Sequence, residues 1–274
     1  MDNLFSKLES KAKEIRRETF LIHKNSPETR LASSLSDIEI FVTLYYGGIL
    51  KFKPDEPFFE GRDRFIISKG HGSVSMYPIL ADLGYFSKDE LNRVCREGSF
   101  LGGIPDPIIP GYETVNGSLG HGFGVSCGIA IALKRKKSSS SVFTIIGDGE
   151  FNEGSNWEAM MFADHHGLDN LTIILDNNKV SMLDFSKNIL DLESLKSKVL
   201  AFNFNLEIVD GHNVKELYNA LTKLKNLRNG KPNFLIANTI KGKGAPQLET
   251  NPLSHIMSLK PNEVDEIIAG YKNE

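Results

Sequence analysis

Two short apolar runs, each ending in a cluster of glycine, acid and amide, constrain this chain more than any other feature. Residues 142–146 (VFTII) lead into Gly147-Asp148-Gly149-Glu150-Phe151-Asn152-Glu153-Gly154, and residues 171–175 (LTIIL) lead into Asp176-Asn177-Asn178. Neither run alternates apolar with polar, so both read as strands buried on two faces, the pattern of a parallel sheet. The segment between them, residues 155–167, carries Trp157, Met160, Met161 and Ala163 and reads as the crossover helix that parallel neighbours require. Such a unit delivers Asp148 and Asn178 to one carboxyl edge, where open α/β sheets bind ligands. A carboxylate and an amide oxygen are hard ligands that suit Mg²⁺ or Ca²⁺, with phosphate and water completing the shell. Gly147 and Gly149 read as positions where the backbone turns tightly and approaches a phosphate closely.

The rest of the chain extends the alternation. Residues 3–23 place Leu4, Leu8, Ala12 and Ile15 at helical spacing, and a second helix starts near Asp37, with Ser36 or Asp37 as its cap and Gly47-Gly48 at its end. Residues 64–68 form a short strand that ends in Ser68-Lys69-Gly70-His71-Gly72. Helices follow at 73–83 and 91–96, then a loop over 98–111. The glycine-rich run from Asn116 to Gly124 opens a helix through Leu133. Beyond the central unit come a helix at 191–202, a strand at 206–209, a helix at 214–227, a strand at 234–240 and a tail helix from Asn262. No repeat and no linker interrupts this order. One doubly wound α/β domain over residues 1–274, a parallel sheet with helices on both faces, is expected.

Composition narrows the function classes. The chain is 274 residues long, 40% hydrophobic, and its net charge of −3 gives no electrostatic case for nucleic acid or an anionic membrane. Lys134-Arg135-Lys136-Lys137 is too short a basic run to change that and reads as a solvated helix end. Cys95 and Cys127 are the only cysteines, which argues against a disulfide scaffold or a cysteine zinc site and for a reducing cytoplasm. No signal-peptide core precedes Arg17 and no transmembrane run appears.

The sequence SKGHG, NGSLGHG, GDGEFNEG, LDNN, VDGH and TIKGKG, taken in order behind a charged first helix, resembles the transketolase family from nearly end to end. It is most similar to those members whose cofactor-diphosphate half is a separate N-terminal subunit. The resemblance implies thiamine diphosphate held through Mg²⁺ or Ca²⁺ on Asp148, Asn178 and the main-chain carbonyl of Val180. It implies His71 and His255 close to the cofactor, Gly117 and Leu119 cupping its rings, and Gly147 and Gly149 at the diphosphate. Glu153 is placed in a proton network at the subunit interface, so that His71, His255 and Glu153 form the catalytic set. In this family the glutamate that activates the aminopyrimidine lies in a second domain, and the chain ends at Glu274 without residues for one. The expectation is therefore a partner chain carrying the pyrimidine-binding domain, in an α₂β₂ assembly.

Two departures bear on the substrate. Arg30 aligns where the family carries a substrate-contacting histidine, and Ile104 where a histidine holds the hydroxyl of the transferred unit; His121 stands where glutamine is usual. Isoleucine cannot hydrogen-bond a hydroxyl, and an unpaired buried hydroxyl costs about 1–3 kcal/mol. Arg30 adds a fixed cation suited to carboxylate or phosphate. Three readings stay open: two-carbon transfer from a ketose to an aldehyde or sugar, decarboxylating acetyl transfer from pyruvate, and a non-catalytic cofactor-binding or regulatory protein.

Overall fold

The computed structural model describes residues 2–115 and 117–271. Asn116, which opens the glycine-rich run, lies outside them, as do Met1 and residues 272–274. Five strands form one parallel sheet: β1 (Arg64–Ile67), β2 (Val142–Gly147), β3 (Leu171–Asn177), β4 (Asn205–Asp210) and β5 (Asn233–Asn238). Their order is β1-β2-β3-β5-β4, so the two strands read from the opening motif are direct neighbours at the centre. Every residue of β2 and β3 is buried, which is why neither alternates in sequence. β4 is an edge strand, and its side chains are mostly part-exposed.

Helices α1 (Asp2–Asn25), α2 (Leu31–Leu35), α3 (Ile38–Tyr46), α4 (Met76–Leu83), α5 (His121–Arg135), α6 (Gly154–His165), α7 (Ser186–Ile189), α8 (Leu195–Ala201), α9 (Val214–Asn226), α10 (Pro246–Glu249) and α11 (Pro261–Tyr271) surround the sheet. Side chains along each strand alternate between two apolar cores. On one face Phe143, Ile145, Ile174 and Leu235 pack under α1, α3, α9 and α11, with Leu8, Phe41, Leu217 and Val264. On the other, Val142, Ile146, Ile173 and Phe234 pack under α5, α6 and α8, with Phe123, Met160 and Val199. Phe151 stacks on Trp157 at 4.5 Å between ring centres and seals that second face near the carboxyl edge.

The local structure departs from the sequence reading in several places. The helix expected over 191–202 starts only at Leu195, because residues 190–194 run as irregular chain, and the one-turn α7 precedes them. The segment read as helix from Leu91 is instead a 3₁₀ turn over Lys88–Arg93. A second 3₁₀ turn, Gly70–Ser75, carries His71 into α4. Asp37 stands at the N-cap of α3, yet no side-chain bond caps that helix; its carboxyl faces Lys69 instead, with Oδ2 2.8 Å from Nζ.

Candidate active site

The carboxyl ends of β1, β2, β3 and β5 meet over one buried acid. Asp176, the last acid of β3, is fully buried. It accepts hydrogen bonds from Lys69 after β1, from Thr239 after β5, from Ser36 Oγ at 2.8 Å and from Asn178 Nδ2 at 2.7 Å. Burial pushes the Asp176 carboxyl up, but the Lys69 ammonium and these bonds outweigh it and hold it at about 2. Neighbouring Asp37 is driven the other way: burial holds its carboxyl well above the usual range, Asp176 adds to that, and Lys69 offsets it only in part. Lys69 therefore sits between two acids whose carboxyls are driven in opposite directions, Asp176 down and Asp37 up. A buried ion pair of this kind is weak evidence for stability but fixes geometry. Here it fixes Asn178, whose amide nitrogen is committed to Asp176 so that Oδ1 turns away, accepting from Val180 N at 3.1 Å.

The predicted metal ligands lie on this platform. Asp148 follows β2, and its backbone N–H donates to Asp176 O at 3.2 Å. Its carboxylate accepts from Gly149 N at 2.8 Å, from Lys179 N at 2.6 Å and from Ser186 Oγ at 3.0 Å. Burial pushes the Asp148 carboxyl up to about 6 and Asp176 adds to the rise, while Lys241 and the bonds from Gly149 and Ser186 pull back. Lys179 takes a left-handed conformation (φ 64°), and the chain folds back on itself from Val180 to Phe185. The Val180 carbonyl accepts Lys241 Nζ at 2.8 Å. Burial lowers the Lys241 ammonium to about 8 against the pull of Asp148. Among the described residues no three His, Cys, Asp or Glu side chains converge on a metal position. Carboxylate, amide oxygen and main-chain carbonyl are nevertheless the hard-oxygen set that Mg²⁺ or Ca²⁺ takes, and a cation already rests on one of them. The donor chemistry fits a divalent ion, which these three oxygens would hold.

The two histidines that the resemblance placed near the cofactor lie side by side. His71 and His255 stand 4.8 Å apart, ring edge to face. Burial, with the Lys69 ammonium and His255 next, lowers His71 to about 2; burial, Lys241 and Arg30 lower His255 to about 4. Both are neutral at physiological pH. Lys241 Nζ at 3.2 Å and Ser33 Oγ at 3.5 Å face His255 Nδ1. Arg30 is exposed at the start of α2, close enough to His255 to act on its charge. Ile104 is 49% exposed, and its Cγ2 is the nearest group to a side chain built at Gly117 (3.9 Å). His121 is exposed at the first turn of α5, its Nδ1 3.1 Å from the Leu119 carbonyl, and Glu153 is exposed at the start of α6.

Several residues with no role in the sequence reading organise the edge: Lys69, Asp176, Lys241, Ser68 and Glu150. The signal available was a charge at the end of an otherwise apolar buried run. The chain turns at Asp148 and Gly149 without a left-handed residue. Gly149 has an ordinary right-handed backbone (φ −63°). Space is tight at both: an added side chain would meet Ser181 at 3.1 Å at Gly149 and Lys69 at 3.3 Å at Gly147. A cavity of about 500 Å³ opens on the far side of Asp148, lined by Lys179, Phe185, Ser186, Leu190 and Leu192; of the predicted site residues it holds only Asp148.

An α/β sheet that collects a carboxylate, an amide, two neutral histidines and two buried lysines at its carboxyl edge belongs to the class that binds phosphorylated cofactors there. The model of the transketolase thiamine diphosphate-binding domain matches residues 31–273, and the chain belongs to that family. It is 38% identical over 272 residues to an apulose-4-phosphate transketolase subunit of Actinobacillus succinogenes, covering 98% of each chain. It is 37% identical to a 6-deoxy-6-sulfo-D-fructose transketolase subunit of a Clostridium species, covering 89% of this chain and 88% of that one. Human transketolase is 35% identical, with 86% of this chain and 37% of the human protein covered. Among solved structures, a Pichia stipitis transketolase variant superposes with a TM-score of 0.90 at 23% identity. That match takes in 96% of this chain and 40% of the other.

Proposed function

We propose that this chain is the diphosphate- and metal-binding subunit of a split, thiamine diphosphate-dependent transketolase that moves a two-carbon unit from a ketose to an aldehyde or sugar acceptor. The observation that carries the reading is the full-length match to a relative named as one subunit of a transketolase, set beside a match to little more than a third of human transketolase. It supports a separate chain, for which we propose the pyrimidine-binding domain with its activating glutamate and an α₂β₂ assembly. A cytoplasmic location agrees with two unpaired cysteines and with described helices that are all too short or too polar to cross a membrane.

Asp148, Asn178 and the Val180 carbonyl would hold Mg²⁺ or Ca²⁺, and Gly147, Gly149 and Lys241 would lie toward the diphosphate. Gly117 and Leu119 would cup the rings. Bound thiamine diphosphate supplies the nucleophilic carbon that accepts the two-carbon unit. His71 and His255, neutral and buried side by side, can each accept or donate a hydrogen bond to a substrate hydroxyl or carbonyl without bringing charge. Glu153 and His121, exposed on adjoining helix starts, are available to a partner chain.

The two relatives above act on a phosphorylated and a sulfonated sugar by name, both anionic. Arg30, a cation at the mouth beside His255, supports an anionic sugar here. Ile104, half-exposed beside Gly117, keeps a second reading alive, acetyl transfer from pyruvate, because an aliphatic wall favours a methyl over a hydroxyl.

The test is co-purification of the tagged chain from its source, then assay of the assembly with phosphorylated ketoses and short aldehydes. Two-carbon transfer that requires both chains is the expected result. Carbon dioxide release from pyruvate without ketose cleavage moves the reading to acetyl transfer. Turnover by this chain alone removes the split enzyme.

A further inference from the structure

Glu150 lies in the GDGE turn but points away from Asp148 and into the protein, where it is 2% exposed. Its Oε1 accepts from Ser68 Oγ and from Gly120 N at 2.8 Å; its Oε2 accepts from Gly147 N at 3.1 Å. Ser68 Oγ in turn accepts from Gly122 N at 3.1 Å, and the Glu150 carbonyl accepts from Asn156 Nδ2 at 2.6 Å. Gly120 and Gly122 open α5, a helix with no side-chain cap of its own, so Glu150 and Ser68 satisfy its first free N–H groups from other elements. A carboxylate at this helix start also meets the positive end of the helix dipole. The glycines there are packing requirements: a side chain at Gly122 meets Ser68 at 2.5 Å, and one at Gly120 meets Ser155 and Glu153 at 2.5 and 2.6 Å.

One carboxylate thus joins the turn that carries Asp148 to the loop that carries Gly117 and Leu119, and ties both to the end of β1. We infer that Glu150 is a positioning residue: it sets the metal-binding turn and the ring-cupping loop in register with each other, without itself touching the cofactor. The inference rests on the site reading above. Glu150 acts as a supporting residue that orients groups which do bind.

Glu150→Gln is the discriminating variant because it keeps size and shape. An amide offers one acceptor atom where the carboxylate offers two. Whichever way it is turned, either the Gly147 N–H or the Gly120 N–H faces another donor, and one loop is released. The assembly of this chain with its co-purifying partner, unaltered and as E150Q, is titrated calorimetrically with thiamine diphosphate in the presence of Mg²⁺, while thermal unfolding and amide exchange are followed without cofactor. The expected result is a folded variant whose Gly120, Gly122 and Gly147 amides exchange faster while amides of β3 do not. Its cofactor Kd rises about tenfold or more, as for other residues that orient ligands.

A Kd within about twofold of the unaltered chain, with the same amides loosened, reduces Glu150 to a structural residue and overturns the inference. Unchanged exchange at those amides overturns it as well. Failure of the unaltered assembly to bind is a different result: it removes the site reading and the inference with it. Should E150Q not fold, Ser68→Ala removes the Ser68 bond to Oε1 and frees the Gly122 N–H, which loosens the carboxylate's tie to β1 while leaving its bonds from Gly120 N and Gly147 N. A Kd raised about threefold then supports the inference, and unaltered binding overturns it.

Discussion

Asp148 is held in a state that favours a cation. Its carboxyl is buried, lies near the Asp176 charge and is pushed up to about 6, so ionising it without a counter-charge is unfavourable. A divalent ion relieves that penalty, and protons compete with it. Metal-dependent binding of thiamine diphosphate should weaken as pH falls through 6, approaching about tenfold per pH unit below it, because only the ionised acid is a ligand. Asp148→Ala should abolish the metal requirement along with most of the affinity, about 100-fold or more. Calorimetric titration with Mg²⁺ and cofactor at pH 5.5 and 7.5 reads both effects, and affinity independent of metal or of pH removes Asp148 as a ligand. Ile104→His should raise kcat/KM on hydroxylated donors about tenfold, since it supplies the missing hydrogen-bond partner. No change would mean that this wall does not select the donor. Asp148, Asn178 and the histidine pair are legible in the sequence because their residue types announce chemistry. Lys69 and Asp176 sit inside the same motifs without announcing theirs. Their role depends on three strand ends meeting at one point, and sequence spacing does not encode that distance.

The elements show where local pattern suffices and where packing overrides it. β2 and β3 are legible because burial on both faces leaves unbroken apolar runs, and α9 because its apolar stripe is clear. The start of α8 is not: residues 191–194 are compatible with a helix, but the loop returning from Ser186 beside Asp148 leaves them extended. The glycine-rich start of α5 reads in sequence as close backbone approach to a cofactor or to a neighbouring element, and part of it does pack. That packing gives a contrast within one helix. A side chain at Gly122 meets Ser68 backbone and side chain at 2.5 to 2.7 Å, whereas Gly128 faces open space. Gly122→Ala should destabilise the chain by about 2–3 kcal/mol through forced displacement of β1 from α5. Gly128→Ala should stabilise it by up to about 1 kcal/mol, because alanine has the better helix propensity. Denaturant midpoints at constant slope measure both. Equal effects at the two positions would refute the packing account of Gly122.

At the scale of the molecule, buried histidines make the whole fold acid-sensitive, and the effect is clearest at His23, far from the metal ligands. His23 is fully buried in α1. Its Nδ1 pairs with Thr29 Oγ1 at 2.9 Å, and Thr29 Oγ1 itself donates to Ser26 O, so Nδ1 carries the proton. Nε2 then accepts from Leu259 N at 3.1 Å, joining the first helix to the segment that leads into α11. Protonating Nε2 breaks that join. Burial lowers His23 from 6.5 to about 4, against weaker opposing effects from Thr29 and Glu28. Since the unfolded chain takes up the proton first, stability falls as pH falls. It is intact above 6.5, declines between 6.5 and 4, and is fully lost below 4, by roughly 3 kcal/mol for this residue. His255 and His71, lowered to about 4 and about 2, act in the same direction and extend the decline to lower pH. His23→Gln removes the titration while leaving a side chain that can still accept from Leu259. Chemical unfolding of both chains at pH 7.5, 6, 5 and 4.5 should show a shallower decline for the variant, even though it starts from lower stability. Parallel declines would place the acid sensitivity elsewhere and leave His23 as a packing residue only.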